Sequence, residues 1–336
     1  MESNLIYFQS IILLVLNLFF FINKKKIFNY INIIDTPDGK IKLHKKKIYP
    51  IGGVIFFFNL LIFIIIEALY KTDLHLIYGV SIFDKIIFLF SITSLFFVGL
   101  YDDKYNLNYI AKLILTSLIV FIFVSVNENF IISKLSFTFT DKIIYINEIS
   151  KFFTIICILL FINALNLFDG IDLQSGSYIL IIFVFFFILL NIEFLIILIL
   201  SCILFLYLNY KREIFLGDSG TILIGFIISC LSIYSYNSNL ILSDQIFILM
   251  MVPGIDMIRL FLVRIVNGSN PFKGDRNHMH HILIKKYSFT KSFVIINFTI
   301  LTLIVSNLFF KISILLILPA YLIFYFLMIY EKKTIK

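Results

Sequence analysis

A ten-residue polar stretch from Asn163 to Asp172 separates two apolar runs, and its side chains could take part in metal-dependent chemistry. Within it, Asn163, Asn166, Asp169 and Asp172 each lie three residues from the next. If the preceding helix continued, the two amides would share one face and so would the two carboxylates. Oxygen ligands of these kinds suit a hard cation such as Mg²⁺. The alternative is a polar helix end followed by a glycine turn.

Two adjacent carboxylates, Asp102 and Asp103, stand at the end of an earlier apolar run. They should repel each other unless a cation or a proton lies between them, although solvation in a loop would also relieve the repulsion. Lys112 lies within the next apolar run. A charge in hydrocarbon costs roughly 2.5–3.5 kcal/mol on insertion scales, so we expect Lys112 to face a partner or a phosphate inside the bundle.

A third candidate element is the small-residue sequence Gly217-Asp218-Ser219-Gly220-Thr221, which leads into another apolar run. The first backbone N–H groups of a helix that begins here could bind a phosphate. Asp218 would oppose that phosphate unless a metal ion lay between them. Alternatively, Asp218 caps the helix.

A fourth candidate lies late in the chain, where Arg276, His278, His280 and His281 fall within six residues. Three histidines could bind zinc. The spacing fits no familiar zinc pattern and no cysteine is near, so we favour a phosphate clamp in which Arg276 is the forked donor and the imidazoles are neutral donors. In the apolar run before this cluster, Asp256 and Arg259 are three residues apart and are expected to pair.

The first polar loop contains Asp35 and His44, followed by three lysines and the sequence Pro50-Ile-Gly-Gly53. One interpretation is a basic rim, hinged at the glycines, that holds anionic substrate groups. The other is an ordinary cytoplasmic loop whose lysines are solvated or meet anionic lipid head groups.

The composition shows what must position these side chains. The chain has 336 residues, is 61% hydrophobic and has a mean hydropathy of +1.03. A soluble domain of this size cannot bury so much apolar surface, so we expect an integral membrane protein. A net charge of +8 then reports orientation in the lipid bilayer, and no nucleic acid is expected as a partner.

A spanning helix needs about 20 mostly apolar residues. We therefore predict an all-α, polytopic membrane protein of about 11 transmembrane helices, in which residues 1–336 form a single domain. The outer loop 127–151 contains alternating Ser-Phe-Thr-Phe-Thr and is expected to form a small hairpin. The predicted spans are 5–23, 51–70, 86–101, 109–126, 152–168, 174–191, 193–210, 219–236, 244–263, 291–309 and 311–330.

Eleven spans divide the loops into two sets, and the two sets differ in charge. One set has 19 Lys and Arg residues and the other has 6. By the positive-inside rule the richer set is cytoplasmic, which places the N-terminus outside and the C-terminus inside. Every candidate element above falls in a loop of the richer set or at a helix end on that side, so the predicted site faces the cytoplasm from the inner (cytoplasmic) membrane. That set comprises the loops 24–50, 102–108, 169–173, 211–218 and 264–290 and the tail after residue 330.

The motifs together resemble the polyprenyl-phosphate N-acetylhexosamine-1-phosphate transferases, which form part of glycosyltransferase family 4. The resemblance extends in order from Asp35 to His281. The eleven-span layout resembles the N-acetylglucosamine-1-phosphate branch, whereas the peptidoglycan branch typically has three consecutive histidines instead of His278-Met-His280-His281. The matching motifs are Asp-x-Pro…His…Gly-Gly, Gly-x-x-Asp-Asp, Asn-x-x-Asn-x-x-Asp-Gly-Ile-Asp, Phe-x-Gly-Asp-Ser-Gly and Pro-Phe-x-x-Asp-Arg-x-His-x-His-His.

The resemblance implies transfer of a sugar-1-phosphate from a UDP-N-acetylhexosamine to a polyprenyl phosphate, with release of UMP. It also implies Mg²⁺, for which Mn²⁺ can substitute, and a product that starts cell-envelope polysaccharides such as O-antigen. Among the expected partners, a second copy of the chain, forming a homodimer, is left open. The sequence departs from the family at Leu173-Gln174, near the expected nucleotide site, which leaves the identity of the sugar open.

The resemblance also implies roles for individual residues. Asn166 and Asp218 would hold Mg²⁺ on the pyrophosphate, and Asp102 and Asp103 would bind or deprotonate the attacking lipid phosphate. The expected catalytic residues are Asp102, Asp103, Asp169, Asp172, His278 and His280, and the expected substrate-binding residues are Asp35, His44, Lys112, Asn163, Arg276 and His281.

Two rival interpretations come from other classes of protein. A transporter of a phosphorylated sugar or lipid would use buried charges such as Lys112 and Arg259 along a pathway. However, a transporter needs polar groups near the midplane and on both faces, and here they lie on one side. A membrane anchor with an inactive site would require the Leu173 departure to disable binding.

Overall fold

The structure is a computed structural model that describes residues 2–35, 47–70, 82–192, 194–271, 277–308 and 310–330. Within these ranges the chain forms twelve α-helices and one two-stranded sheet. The helices are α1 (Glu2–Ile31), α2 (Gly52–Tyr70), α3 (Ile82–Tyr105), α4 (Tyr109–Val126), α5 (Ser150–Phe168), α6 (Gln174–Leu190), α7 (Phe194–Tyr210), α8 (Gly217–Asn237), α9 (Ser243–Val266), α10 (Met279–Lys286), α11 (Phe289–Leu308) and α12 (Ile314–Tyr330).

Each of the eleven predicted segments corresponds to one long helix, and α10 is the additional short one. Among the described residues, six helices are long and apolar enough to cross a membrane, and four others are shorter but apolar. The chain is therefore a mostly helical, polytopic membrane protein. Several helices continue beyond the apolar run that predicted them: α3 extends through Asp102 and Asp103 to Tyr105. Backbone hydrogen bonding continues past the last apolar residue, and the chain turns only at Asn106, where φ is +52°.

Helix α8 forms the centre of the bundle, because nearly all of its side chains are buried. Two neighbouring helices approach its first turn at glycines. A Cβ on Gly53 of α2 would lie 2.4 Å from the backbone N of Gly220, and one on Gly99 of α3 would lie 2.4 Å from Cα of Ser219. Small residues allow this close helix packing in membranes. The contact brings the polar end of α3 to the start of α8.

A β-hairpin interrupts the helical fold between α4 and α5. Strands β1 (Lys134–Phe137) and β2 (Thr140–Tyr145) pair antiparallel, which confirms the predicted hairpin and adds a small sheet to the expected all-α class. Its turn is fixed to the start of α9, where the Asp244 carboxylate accepts a hydrogen bond from the Thr138 amide at 3.0 Å. The Tyr236 hydroxyl of α8 donates to the carbonyl of Lys134 at 2.8 Å.

At the other end of the bundle, the first polar loop pairs with the segment that precedes α8. Asp35 and Ile48 form an isolated backbone bridge, with N–O distances of 2.8 and 3.2 Å. The amide of Phe215 donates to the carbonyl of Tyr49 at 2.9 Å, and the amide of Gly52 donates to the carbonyl of Phe215 at 2.8 Å. These bonds hold the glycine pair against the start of α8.

Candidate active site

The two adjacent carboxylates at the end of α3 point to different partners. Asp102 is buried, accepts a hydrogen bond from the amide of Leu107 at 2.6 Å, and lies 2.7 Å from the ammonium of Lys112. Asp103 turns to α8, where its two oxygens accept the amides of Asp218 and Ser219 at 2.7 and 3.0 Å. Their mutual repulsion is relieved by a lysine on one side and by helix N–H groups on the other.

The contact with Asp103 corrects two expectations about the start of α8. Its first N–H groups bind a carboxylate in this structure rather than face a phosphate, and Asp218 is not the cap of its own helix. Gly217 allows this arrangement, with φ at +75° and with Asp103 oxygens 2.7 and 2.9 Å from where a Cβ would stand. A side chain there would collide with the carboxylate and strain the backbone.

The side chain of Asp218 then faces a cluster formed by three other helices. Its Oδ1 atom lies 2.7 Å from the Lys112 ammonium of α4, which also contacts Asp102 of α3. The amide of Asn166, from the last turn of α5, contacts the same Asp218 oxygen and donates to the Thr221 hydroxyl at 2.9 Å. One lysine therefore bridges two carboxylates, as expected for a buried charge that needs partners.

The turn between α5 and α6, which was predicted as the loop 169–173, brings a second pair of carboxylates to this cluster. Helix α5 ends at Phe168, so Asp169 and Asp172 lie in a turn and share no helical face. Asp172 pairs with Arg212 at 3.0 Å. Leu173 has a positive φ of 66°, which is strained for a branched residue, and its amide is held by the Asn209 side chain at 2.6 Å. At the position where the sequence departs from the family, Leu173 thus adopts a left-handed backbone conformation in the turn.

Asp169 is half-buried and accepts a hydrogen bond from the Ser175 hydroxyl of α6. Burial raises the pKa of the Asp169 carboxyl to about 7; the bond from Ser175 opposes this rise, while the charges of Asp218 and Asp172 add to it. A carboxyl with such a pKa changes its protonation near neutral pH, as a group involved in proton transfer must.

The histidine cluster lies against the same turn. His280 is 0% exposed, and neither of its ring nitrogens has a hydrogen-bond partner within the described ranges. The backbone of Gly170 packs on this ring so closely that a Cβ would lie 2.0 Å from Nε2. The three rings are neighbours: the centroid of His280 is 5.4 Å from that of His278 and 4.4 Å from that of His281.

Burial and the two neighbouring imidazoles hold the pKa of His280 well below its usual range, so this ring is neutral at pH 7. A neutral imidazole has one N–H donor and one acceptor nitrogen. Burying both without a partner is costly, which favours a polar group of the substrate as their partner.

The remaining predicted residues differ in their surroundings. The amide of Asn163 donates to the carbonyl of Leu159 in its own helix at 2.7 Å, which is a local bond rather than a contact with the cluster. Asp35 is placed by its backbone bridge to Ile48. His44 and Arg276 lie outside the described residues.

The carboxylates do not form a complete metal site by themselves. Over the part of the chain that the structure describes, no three His, Cys, Asp or Glu side chains are grouped to hold an ion. The cluster thus consists of the Asp218 carboxylate, the Asn166 amide and the Lys112 ammonium, with Asp102 behind them.

The side-chain contacts of three residues were not predicted from the sequence. The hydroxyls of Thr221 and Ser175 bind Asn166 and Asp169, and both follow a motif residue by three to six positions. Their proximity to the motifs was an available signal. Tyr325 of α12, which binds Asp256 at 2.6 Å, gave no such signal because it lies in an apolar run far from every motif.

Comparison with known proteins gives a consistent result. The model of a family described as glycosyl transferase family 4 matches residues 85–236. An undecaprenyl-phosphate alpha-N-acetylglucosaminyl 1-phosphate transferase of Thermotoga maritima is 30% identical over 266 residues, which cover 78% of this chain and 77% of that protein. A probable undecaprenyl-phosphate N-acetylglucosaminyl 1-phosphate transferase of Bacillus subtilis is 26% identical and covers 77% of this chain and 72% of its own length. A phospho-N-acetylmuramoyl-pentapeptide-transferase of Petrotoga mobilis is 32% identical over 314 residues, or 85% of this chain and 92% of that protein.

Proposed function

The chain belongs to glycosyl transferase family 4, and we propose that it transfers N-acetylglucosamine-1-phosphate from UDP-N-acetylglucosamine to undecaprenyl phosphate. UMP is the second product, and the lipid-linked sugar starts a cell-envelope polysaccharide. The observation that carries the proposal is one continuous cluster. Four helices bring Asp102, Lys112, Asn166 and Asp218 together, and the turn at Gly170 joins this group to the histidines.

The donor set fits Mg²⁺ that is shared with a substrate. Mg²⁺ usually binds one or two carboxylates and completes its octahedron with water and phosphate oxygens. Asp218 and Asn166 would hold the ion, and the protein need not supply a third ligand. When bound, Mg²⁺ would neutralise charge on the pyrophosphate, and Mn²⁺ could substitute for it.

The acceptor phosphate is proposed to bind beside Lys112. This ammonium lies between Asp102 and Asp218, at the start of an apolar helix. A lipid phosphate that arrives from the bilayer would pair with Lys112, since a lysine acts as a point charge for phosphate. Between the adjacent carboxylates, Asp102 is the better candidate to meet the lipid phosphate, because it lies beside Lys112, whereas Asp103 holds the start of α8.

The donor is proposed to bind across the turn at Gly170, with its phosphates near the histidines. Neutral His280 has an N–H to donate to a phosphate oxygen, and Arg276, which lies outside the described residues, is proposed as a forked donor to the same phosphates. An oxygen of the lipid phosphate would attack the β-phosphorus of the UDP-sugar. The bond from that phosphorus to the bridging oxygen would break, and UMP would leave with the electron pair. Positioning and charge stabilisation suffice for such a step.

We also propose eleven spans, with the N-terminus outside, the C-terminus in the cytoplasm and the site on the cytoplasmic face of the inner membrane. Two observations support this orientation. The Lys and Arg excess of 19 to 6 lies in the loops on one side. The candidate residues cluster where α3 ends and α8 begins, whereas the hairpin packs at the other end of α8. A second copy of the chain is a further proposed partner, which the mass of the purified complex would reveal.

The test is UMP release by purified protein given undecaprenyl phosphate and a panel of donors. We expect release with UDP-N-acetylglucosamine that depends on both the acceptor and Mg²⁺. The Petrotoga mobilis relative makes UDP-N-acetylmuramoyl-pentapeptide a necessary comparison, and the His278-Met-His280-His281 ending leads us to expect no turnover with it. Failure to release UMP from any donor would refute the proposal. Uptake of a phosphorylated sugar into proteoliposomes without UMP would support the transporter instead.

A further inference from the structure

Asp256 of α9 has more partners than the pairing with Arg259 that was predicted from the sequence. This carboxylate is 3% exposed. Its Oδ1 atom accepts hydrogen bonds from Arg259 Nη2 at 2.9 Å, from the Tyr325 hydroxyl at 2.6 Å and from the amide of Met279 at 3.0 Å. Its Oδ2 atom lies 3.2 Å from Nδ1 of His278. The pairing with Arg259 is confirmed, but half of the partners belong to the histidine motif.

The contact with His278 determines which ring nitrogen has the proton. An ionised carboxylate only accepts hydrogen bonds, so the Nδ1 atom of His278 must be the donor. The opposite nitrogen, Nε2, is then the one that can act on a substrate, as in other sites where a carboxylate orients a histidine. Because the rings of His278 and His280 stack at 5.4 Å with an angle of 10°, orienting the first also limits the second.

The same carboxylate fixes the backbone that carries the other histidines. Met279 is the first residue of α10, and its amide is one of the N–H groups that a helix start leaves without an internal partner. A carboxylate is favoured at this position by the helix dipole. Arg259 adds a contact with the carbonyl of Asn277 at 2.5 Å. Arg259 therefore binds residue 277, and Asp256 binds residues 278 and 279. One ion pair of α9 holds three successive residues.

Helix α12 completes this support from the far end of the chain. The Tyr325 hydroxyl donates to Asp256 and accepts from Arg259 Nε at 2.7 Å. The Lys286 ammonium, in the last turn of α10, donates to the carbonyl of Met328 at 2.6 Å. Both ends of α10 are thus attached to α12 or to residues that α12 binds.

We propose that Asp256 is a positioning residue for phosphoryl transfer, which sets the tautomer of His278 and the start of α10, and that Tyr325 holds Asp256 in place. The inference rests on the proposed function for its kinetic effect, but the tautomer of His278 can be measured without turnover. A purely structural ion pair would stabilise the fold without changing either kcat or the tautomer.

The kinetic test compares two tyrosines one turn apart on α12. Tyr325→Phe removes the hydroxyl that binds Asp256. Tyr321→Phe is the matched control, because Tyr321 is also buried but its hydroxyl has no hydrogen-bond partner among the residues described. We expect Tyr325→Phe to lower kcat for UMP release by on the order of tenfold, as for partners that orient functional histidines elsewhere. We expect Tyr321→Phe to match the wild type. Equal kcat in the two variants would overturn the role of Tyr325.

The spectroscopic test uses Asp256→Asn in protein labelled with ¹⁵N at histidine. The chain has five histidines, and a His278→Gln sample assigns the relevant signals. We expect an Nδ1–H tautomer for His278 in the wild type and its loss in Asp256→Asn, with kcat reduced about a hundredfold or more. An unchanged tautomer would overturn the proposal. If Asp256→Asn does not fold, Tyr325→Phe in the same labelled protein should broaden or shift the His278 signals, and unaltered signals there would also refute it. Wild-type protein that shows the tautomer but releases no UMP would refute the proposed function alone.

Discussion

Replacing Gly170 by alanine should disable the site by displacing one ring. Gly170 does not have a positive φ, so its backbone conformation would accept an alanine. The obstacle is the neighbouring side chain of His280. The added Cβ would stand 2.0 Å from Nε2 and 2.7 Å from Cε1 of His280, whereas real Cβ contacts are essentially never shorter than 3.0 Å. The imidazole must therefore retreat by at least about 1 Å. A displacement of that size can cost about a hundredfold in rate, or about 2.7 kcal/mol of transition-state stabilisation.

The assay is UMP release at saturating undecaprenyl phosphate, beside the thermal stability of the protein in detergent. Gly254→Ala in α9 is the matched control, because a Cβ there would meet nothing within 4 Å. We expect Gly170→Ala to lower kcat/KM about a hundredfold and to lose about 1–3 kcal/mol of stability through overpacking. Gly254→Ala should retain both. In a His280→Ala background the stability cost of Gly170→Ala should disappear, because the ring it meets is gone. Near-normal turnover of Gly170→Ala, or a stability cost unaffected by His280→Ala, would refute the reasoning.

Three further predictions concern the proposed metal ligand Asp218, the half-buried carboxyl of Asp169 and the topology. Asp218→Asn should lower turnover by on the order of a hundredfold or more, because a metal clamp supplies several kcal/mol; a folded Asp218→Asn protein of near-normal rate would remove Asp218 from the site. Ser175→Ala removes the hydroxyl that favours ionised Asp169, so the pKa of the Asp169 carboxyl should rise further above about 7. The acidic limb of the pH profile of kcat/KM should then move to higher pH. A limb that stays in place or moves to lower pH would contradict this. Cysteines at Ser136 and Ser269, in protein without its native cysteines, should label from opposite sides, with Ser269 reached only after permeabilisation. Labelling of both from one side would disprove the span count.

The apolar runs and the motif residues were sufficient to predict the eleven long helices and the convergence of Asp102, Lys112, Asn166 and Asp218. A charged or amide side chain at the end of an apolar helix costs free energy when it has no polar partner. Such side chains are therefore expected to be buried beside one another. The charge count of the loops and the motif positions indicated the same side independently.

The details that were missed depend on tertiary contacts. The end of α5 at Phe168 was predicted, and with it the loop that contains Asp169 and Asp172, but the packing of Gly170 on His280 was not. The start of α8 was expected to face a phosphate, but α3 continues one turn past its apolar run and brings Asp103 to those N–H groups. Helix ends are determined by tertiary partners, which residue spacing does not contain.

Tyr325 could not be predicted at all, because nothing about a tyrosine in an apolar helix distinguishes a hydrogen-bonded hydroxyl from one that packs in the core. Tyr321, one turn away and equally buried, has no such bond among the described residues. The two tyrosines differ only in how α12 packs against α9, which brings the Tyr325 hydroxyl to Asp256.

The measurement that tests the central claim most directly follows the β-phosphorus of the donor. Purified protein is incubated with undecaprenyl phosphate, Mg²⁺ and UDP-N-acetylglucosamine labelled with ³²P at the β-phosphate, and the lipid is then extracted. If the lipid phosphate attacks the β-phosphorus, the label must appear in the lipid fraction and unlabelled UMP must appear in the aqueous phase in equal amounts. Label retained in soluble UDP, or a lipid fraction without label while the nucleotide is consumed, would contradict transfer of a sugar-1-phosphate.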